Sequence, residues 1–284
     1  MSARKVIENP EESFSAFLLR AARLPGVCID RETYLRTALS RHCSAYEVRS
    51  AVASTPAAAG ISLDVLDRLA NEAIRYETAK VSALSAAAGV PGAMALPATV
   101  PADLAQYLGH MLRISQKLAY LYSWPNLFSG ESDELDDATK GVLTLFFGVM
   151  YGTQAANAAV GKVAKAISEQ VARELPKRAL TQGVVYPVVK KVAAYLGVEM
   201  TKQTFAKSVS KAIPLVGAAV SGTLTLATFL PMSKRLKTHL SGLDLARPAV
   251  NVIPGEVVED ASPAEEDVKL PKQGRDWRIA RRRK

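Results

Sequence analysis

Three long segments without a charged residue constrain most strongly what this chain can fold into. They cover residues 81–102, 141–161 and 212–233, and the third reads AIPLVGAAVSGTLTLATFLPMS. Each is about as long as a transmembrane helix, but glycine and proline interrupt the first and the third. Proline removes an amide donor and clashes with the preceding turn, so we expect no straight membrane span in those two segments.

The middle segment, 141–161, lacks proline but contains Gln154, Asn157 and four glycines. An amide near the centre of a bilayer is unfavourable, and each Leu or Phe contributes only about −0.3 to −0.6 kcal/mol to insertion. The segment is therefore a marginal membrane span. We expect it to be a helix buried within the protein.

Apolar residues recur at helical spacing along most of the chain, and no convincing alternation of period two appears. We therefore predict an all-α fold: a multi-helix bundle with Gly/Pro-broken helical hairpins of small residues and a disordered C-terminal tail. Small side chains favour close approach of helices. The predicted organisation is an N-terminal helical extension (1–60), a helical domain (61–242) and an acidic-then-basic tail (243–284).

Proline, glycine and capping residues set the predicted helix boundaries. In the first half we predict five helices: from Pro10 to the LPG at 24–26, over about 31–53, after Gly60 with Ser62 as N-cap, over 103–123, and from near Glu134 through 141–161. In the second half we predict a helix over 164–173, one from Pro187 with Gly197 as C-cap, one over 201–211, a bend at Pro214 and Gly217, and a helix over 218–230 interrupted by Pro231.

Most of the net charge lies in the last sixteen residues, which carry +7 of the formal +9. The basic tail residues, with the aromatic residue among them, are Lys269, Lys272, Arg275, Trp277, Arg278, Arg281, Arg282, Arg283 and Lys284. Such a tail fits attraction to anionic lipid, salt-dependent binding to nucleic-acid phosphates, or a solubilising or docking role. The rest of the chain is nearly neutral, so it has no strong field of its own.

No catalytic or metal-binding motif appears in the sequence. His42, His110 and His239 are isolated, Cys28 and Cys43 lack the spacing of zinc ligands, and there is no phosphate-binding glycine loop or nucleophile elbow. We therefore expect no enzyme activity, no cofactor and no metal.

A family resemblance is carried by three stretches: AAAGVPGAMALPATVPADL at 86–104, MLRISQKLAYLY at 111–122 and LGVEMTKQTFAKSVSKAIPLVGAAVSGTLTLATF at 196–229. They resemble the EcsC family, bacterial proteins named for a component encoded beside the Ecs ABC transporter. The resemblance covers roughly 65–245 and implies a helical, membrane-linked protein. YLYSWPN at 120–126 departs from the Tyr-Gly-Tyr-Asp type of loop that is frequent in the family.

The candidate lipid- or partner-binding residues lie in or beside the two proline-broken segments. They are Gly89, Pro91, Gly92, Pro97, Asp103, Arg113, Pro214, Gly217 and Gly222. Asp103 and Arg113 are nearly three helical turns apart, so they can share a side of the helix without touching. As a pair they could bind an anionic headgroup; alternatively they are a first-turn acid and a solvated base.

The sequence thus predicts a non-enzymatic protein that engages lipid or an integral membrane partner from the cytoplasmic side, peripherally associated with the membrane. The N-terminus turns acidic where a signal peptide would be apolar, which favours a cytoplasmic location. One alternative is a soluble adaptor or nucleic-acid-associated protein that acts through the tail. A second is a membrane-inserting effector, in which 141–161 and 212–233 enter the bilayer.

Overall fold

The structure is a computed structural model that describes residues 9–88, 102–128, 135–169, 174–210 and 217–247. Every regular element in these ranges is a helix, which confirms the all-α prediction. The helices are α1 (Pro10–Ala22), α2 (Arg31–Leu39), α3 (Ala45–Ala53), α4 (Leu63–Ala88), α5 (Ala102–Leu121), α6 (Asp137–Met150), α7 (Gln154–Ser168), α8 (Lys177–Thr181), α9 (Tyr186–Ser210), α10 (Gly217–Ser241) and the 3₁₀ turn η1 (Asp244–Ala246).

Local capping explains where the first helices begin. Pro10 opens α1 with two glutamates in its first turn, as predicted, and the Thr33 amide donates to Asp30 at the start of α2. The prediction of one helix over 31–53 is wrong. Ser44 and Glu47 form a capping box, which satisfies amides at a new helix start and divides the segment into α2 and α3.

Helix α6 forms the centre of the fold. Twelve of its fourteen residues are buried, and it packs against α5, α7, α8, α9 and α10. The single helix predicted through 141–161 is wrong, because α6 ends at Met150 and α7 begins at Gln154. Gly152 between them has φ of +81°, a left-handed conformation that glycine adopts without strain and that reverses the chain.

Two glycines allow helices to approach closely. Gly197 was predicted to end a helix, but α9 runs through it to Ser210. A methyl group at Gly197 would collide with the backbone of Pro10, so this glycine serves the contact between α9 and α1. A methyl group at Gly148 would lie 2.6 Å from Cβ of Ala156 and 2.7 Å from Cγ1 of Val192.

Pro231 does not interrupt its helix, contrary to the prediction, since α10 continues from Gly217 to Ser241. Buried residues on both sides of the proline, Phe229, Met232 and Leu236, anchor α10 in the core. That packing offsets the local cost of a proline in a helix. None of the helices in the described ranges is both long and apolar enough to cross a membrane.

The remaining boundaries differ in smaller ways. The helix predicted over 164–173 is the second half of α7, which starts earlier and ends at Ser168. The short helix α8 was not predicted. The helix predicted over 201–211 is not a separate one, since α9 continues through 201–210, and the bend at Pro214 lies outside the described residues. After α10, η1 buries Leu245 and Ala246.

Candidate functional site

Helices α4, α5 and α10 are tied together at one end by Asp67. Tyr122 donates to Oδ1 of Asp67 at 2.7 Å, and Nζ of Lys237 lies 2.9 Å from Oδ2. Asp67 is near the start of α4, whereas Tyr122 follows the end of α5 and Lys237 is near the end of α10. Both α5 and α10 therefore run antiparallel to α4.

The opposite end of these three helices carries the connections to residues of the two proline-broken segments. Because of the antiparallel packing, the end of α4 (Ala88) and the starts of α5 (Ala102) and α10 (Gly217) lie at the same end of the bundle. We call it the hairpin end. Residues 89–101 connect α4 to α5 and residues 212–216 precede α10, and they belong to the first and third uncharged segments of the sequence.

Two large apolar side chains are exposed in the halves of α4 and α10 nearest the hairpin end. Leu84 is 43% exposed and Leu226 is 46% exposed. Tyr107 on α5 packs edge-on against Phe229 on α10, with ring centroids 6.0 Å apart. This aromatic contact holds α10, which carries Leu226, against α5.

Most candidate residues of the sequence cannot be placed in this geometry. Gly89, Pro91, Gly92, Pro97, Pro214 and the nine tail residues from Lys269 to Lys284 lie outside the described residues. Gly217 is the first residue of α10, Gly222 lies one turn later, and Asp103 lies in the first turn of α5, but the structure describes no side chain at these positions. Arg113 is the member of the set whose side chain is described.

Arg113 belongs to a buried ionic cluster centred on Glu77 of α4, which we call the Glu77 cluster. Oε1 of Glu77 accepts from Nζ of Lys117 at 2.6 Å and from Nε of Arg113 at 3.1 Å. Nδ1 of His110 lies 2.7 Å from Oε2. The Glu77 side chain is completely buried, and the three basic side chains are 10 to 23% exposed.

The surrounding charges keep Glu77 ionised despite its burial. Burial raises the pKa of a carboxyl group, but the hydrogen bond from His110 and the charges of Lys117 and Arg113 outweigh it and hold the pKa of Glu77 at about 2. Both carboxylate oxygens are occupied by these partners. Glu77 is therefore suited to joining α4 to α5 rather than to accepting a proton from a substrate.

The Glu77 cluster also fixes the loop between α1 and α2. The Arg113 guanidinium donates through Nη1 to the carbonyl oxygen of Gly26. One turn along α5, Gln116 accepts from the amide of Ile29 at 2.8 Å and donates to the carbonyl of Val27 at 2.9 Å. Side chains of α5 thus provide hydrogen-bond partners for backbone groups of this loop.

An aromatic residue covers the solvent side of the cluster. The ring of Tyr76 is 52% exposed, and the ammonium groups of Lys117 and Lys80 lie 4.9 and 4.6 Å from its centroid. Such cation–π contacts stabilise a charge whose hydration is reduced. The Lys117 ammonium thus contacts a carboxylate and an aromatic ring in place of water.

Sequence reasoning missed Glu77, although a signal was present. Position 77 continues the buried stripe of α4 that includes Leu66, Ala70, Ile74 and Val81. His110, Arg113 and Lys117 are spaced at i, i+3 and i+7, so they share one face of α5. An acid on an apolar stripe, with three bases on one face of the next helix, is a pattern that predicts a buried ion cluster.

In the described ranges, no group of three or more His, Cys, Asp and Glu side chains is arranged to hold a metal ion. Comparison with known proteins gives no match to a family model, a curated protein or a solved structure.

Proposed function

We propose that this chain is a non-enzymatic, peripheral membrane protein of the EcsC type, which engages lipid or an integral membrane partner from the cytoplasmic side through its hairpin end. One observation carries the proposal. The antiparallel packing of α4 and α10, registered by Asp67 and Lys237, brings the attachment points of two uncharged Gly/Pro-containing segments to one end of the bundle.

The exposed leucines add to this argument. Leu84 and Leu226 extend the apolar character of 89–101 and 212–216 onto the helices beside them. Full burial of an exposed leucine side chain in an apolar phase is favourable by about 1.5–3 kcal/mol. Each of these leucines is less than half exposed, so its insertion would contribute less than half of that amount, which favours shallow insertion of this end without a membrane-spanning helix. The basic tail would add electrostatic attraction to anionic lipid.

Vesicle co-sedimentation of the full chain tests the proposal. We expect binding to phosphatidylcholine vesicles that contain phosphatidylglycerol, and a loss of about tenfold or more in the double variant Leu84→Glu, Leu226→Glu, because two apolar contacts are replaced by charges. The matched control is Tyr46→Glu, Val184→Glu, which changes two exposed apolar residues, 73% and 77% exposed, on other elements. Equal loss in both double variants, or no vesicle binding by the wild type, would refute the proposal.

Deletion of 269–284 separates the roles of tail and hairpin end. If the tail only strengthens membrane attachment, the chain without 269–284 binds anionic vesicles more weakly. In that background the leucine double variant should still bind less than its control. Binding that disappears completely with the tail would assign vesicle binding to the tail alone and count against the hairpin end. If the protein stays with cell membranes during a carbonate wash and is released only by detergent, that result supports the inserting effector.

A further inference from the structure

Positive charge is unevenly distributed along the chain before the tail. Residues 1–134 carry a net charge of −1, with thirteen Lys or Arg against fourteen Asp or Glu, whereas residues 135–247 carry +9, with fifteen against six. The total for residues 1–268 is nearly neutral only because the six acids at 256–267 offset this excess. Helices α6 to α10, which lie within 135–247, therefore present a positive surface to an anionic partner.

One part of this surface combines cations with aromatic rings. Tyr151, in the turn between α6 and α7, packs edge-on against Tyr195 of α9, with ring centroids 6.5 Å apart. Tyr195 is 41% exposed, and Tyr151 is half-buried. Lys191, one turn before Tyr195, is also exposed and lies on the same side of α9. The contact between the rings holds Tyr195 in place and leaves part of its surface accessible.

Arg235 of α10 contacts the same turn. Its Nη1 donates to the carbonyl oxygen of Met150 at 2.7 Å. A methyl group at Gly152 would lie 3.5 Å from Nη1 of Arg235. The guanidinium is therefore held against the backbone of the turn, although the residue as a whole is exposed. Lys234, the preceding residue of α10, is exposed as well.

Three cations and two tyrosines thus form what we call the aromatic–basic patch: Tyr151, Lys191, Tyr195, Lys234 and Arg235. Lys165 and Lys190, on the same helices α7 and α9, each have a carboxylate oxygen at 3.9 Å. In the part of the chain that the structure describes, no ion pair joins an acid to a cation of the patch. Glu199, one turn after Tyr195, is half-buried. The charge of the patch is therefore available to a partner.

The position of the patch argues against the bilayer as that partner. Arg235 lies two residues before Lys237, whose contact with Asp67 marks the end of the bundle opposite the hairpin end. Arg235 is eighteen residues along α10 from Gly217, which corresponds to about 27 Å of helix. The patch thus adjoins the end of α10 that the membrane-association proposal leaves in solvent.

Single-stranded nucleic acid matches both components of the patch. Its phosphates attract Lys and Arg, and its base faces stack on aromatic side chains, whereas a duplex keeps its base faces inside the helix. We propose that the aromatic–basic patch binds single-stranded nucleic acid, with a base stacked on Tyr195 and phosphates at Lys191 and Arg235. This site is separate from the hairpin end and from the basic tail, so a failure of vesicle binding leaves it intact.

Fluorescence anisotropy of a labelled twenty-nucleotide oligothymidylate, titrated with the full chain, tests the site. Tyr195→Ala should weaken binding about tenfold, because one stacked base is lost, and Tyr195→Phe should bind like the wild type because its ring remains. The matched control Tyr46→Ala removes a tyrosine that is 73% exposed on α3 and should not change the affinity. The tail is present in every variant, so differences between them report on the patch.

Charge is tested separately from stacking. Lys191→Gln should lower the slope of log affinity against log salt by about 0.7, as expected for one phosphate contact on a single strand. Polyphosphate of about twenty units carries similar charge but no bases, so Tyr195→Ala should bind it like the wild type. An equal loss of affinity for polyphosphate and oligothymidylate in Tyr195→Ala would exclude stacking and overturn the proposal.

Photo-crosslinking of the wild type avoids any folding defect of the variants. An oligothymidylate that contains 5-bromodeoxyuridine should label a peptide with Tyr195 or Tyr151. Cross-links confined to 269–284, or equal oligothymidylate affinity of wild type and Tyr195→Ala, would overturn the proposal. If Tyr195→Ala loses vesicle binding but retains oligothymidylate binding, the patch is a membrane contact and the proposal is wrong.

Discussion

Nζ of Lys117 lies 2.6 Å from Oε1 of Glu77, and the carboxylate it contacts is completely buried. This pair joins α4 to α5 at the position where Arg113 also reaches the loop before α2. A buried ion pair has a large desolvation cost, so its presence alone does not imply stability. The removal of one partner, however, leaves the other charges without compensation.

Glu77→Gln should therefore destabilise the protein by about 3–5 kcal/mol, because Lys117 and Arg113 would lose their common carboxylate. Urea unfolding followed by circular dichroism measures this change. Glu32→Gln is the matched control: Glu32 contacts Arg36 at 2.6 Å, but both side chains are more than half exposed. That change should cost less than about 1 kcal/mol. Similar losses in the two variants would contradict the structural role of the cluster.

Stability at acidic pH should depend on Glu77. Its pKa of about 2 in the folded protein lies below the ordinary value of 4.5, so the unfolded chain takes up the proton first as the pH falls. The contribution of Glu77 is fully present above about pH 4.5 and is lost progressively towards pH 2. The difference in unfolding free energy between wild type and Glu77→Gln should shrink from pH 6 to pH 3, and a constant difference would exclude this linkage.

His239 should give the stability of the protein a second pH dependence, at higher pH than that of Glu77. Burial lowers the pKa of His239, although a hydrogen bond with the Asn157 backbone acts in the opposite direction. The unfolded chain therefore binds a proton near pH 6.5 while the folded protein resists it, and stability falls as the pH drops below that value. Unfolding free energies at pH 5.5 and 7.5 should differ less in His239→Leu than in the wild type, whereas the exposed His42→Gln control keeps the wild-type difference.

The two glycines Gly197 and Gly161 should respond oppositely to alanine. Gly197→Ala places a methyl group into the Pro10 backbone, which should separate α9 from α1 and cost about 1–3 kcal/mol or more. At Gly161 on α7 the added carbon meets no atom within 4 Å, so alanine should stabilise the helix by about 0.5–1 kcal/mol. Thermal unfolding of both variants shows whether each substitution raises or lowers the stability. Stabilisation by Gly197→Ala would contradict the close helix contact.

The sequence predicted the helices where local chemistry and tertiary packing agree. Pro10 with two acids in the first turn, and Ser62 before a long apolar stripe, mark starts that the structure retains. A local signal, the capping box of Ser44 and Glu47, was missed within 31–53. Two other failures occurred where distant residues decide the structure. Gly197 looks like a helix end until Pro10 is known to lie against it, and Pro231 looks like a break until the buried residues around it are seen.

The candidate site was predictable only in part. Gly and Pro in the uncharged segments marked 89–101 and 212–216, but their attachment to one end of the bundle depends on the register between Asp67 and Lys237, which are 170 positions apart. The sequence alone presents Arg113 as either a headgroup ligand or a solvated base. In the structure a buried carboxylate from another helix holds it.

The packing of α1 on α9 has a consequence for how the chain is made. The first helix is synthesised roughly 10 to 40 s before the last residues of its partner, and a thirteen-residue helix is marginally stable alone in water. Phe14 and Leu18 on α1 therefore lack the packing of α9 during most of translation. A nascent chain stalled before residue 186 should present them to ribosome-associated chaperones, whereas the full-length chain released from the ribosome should not.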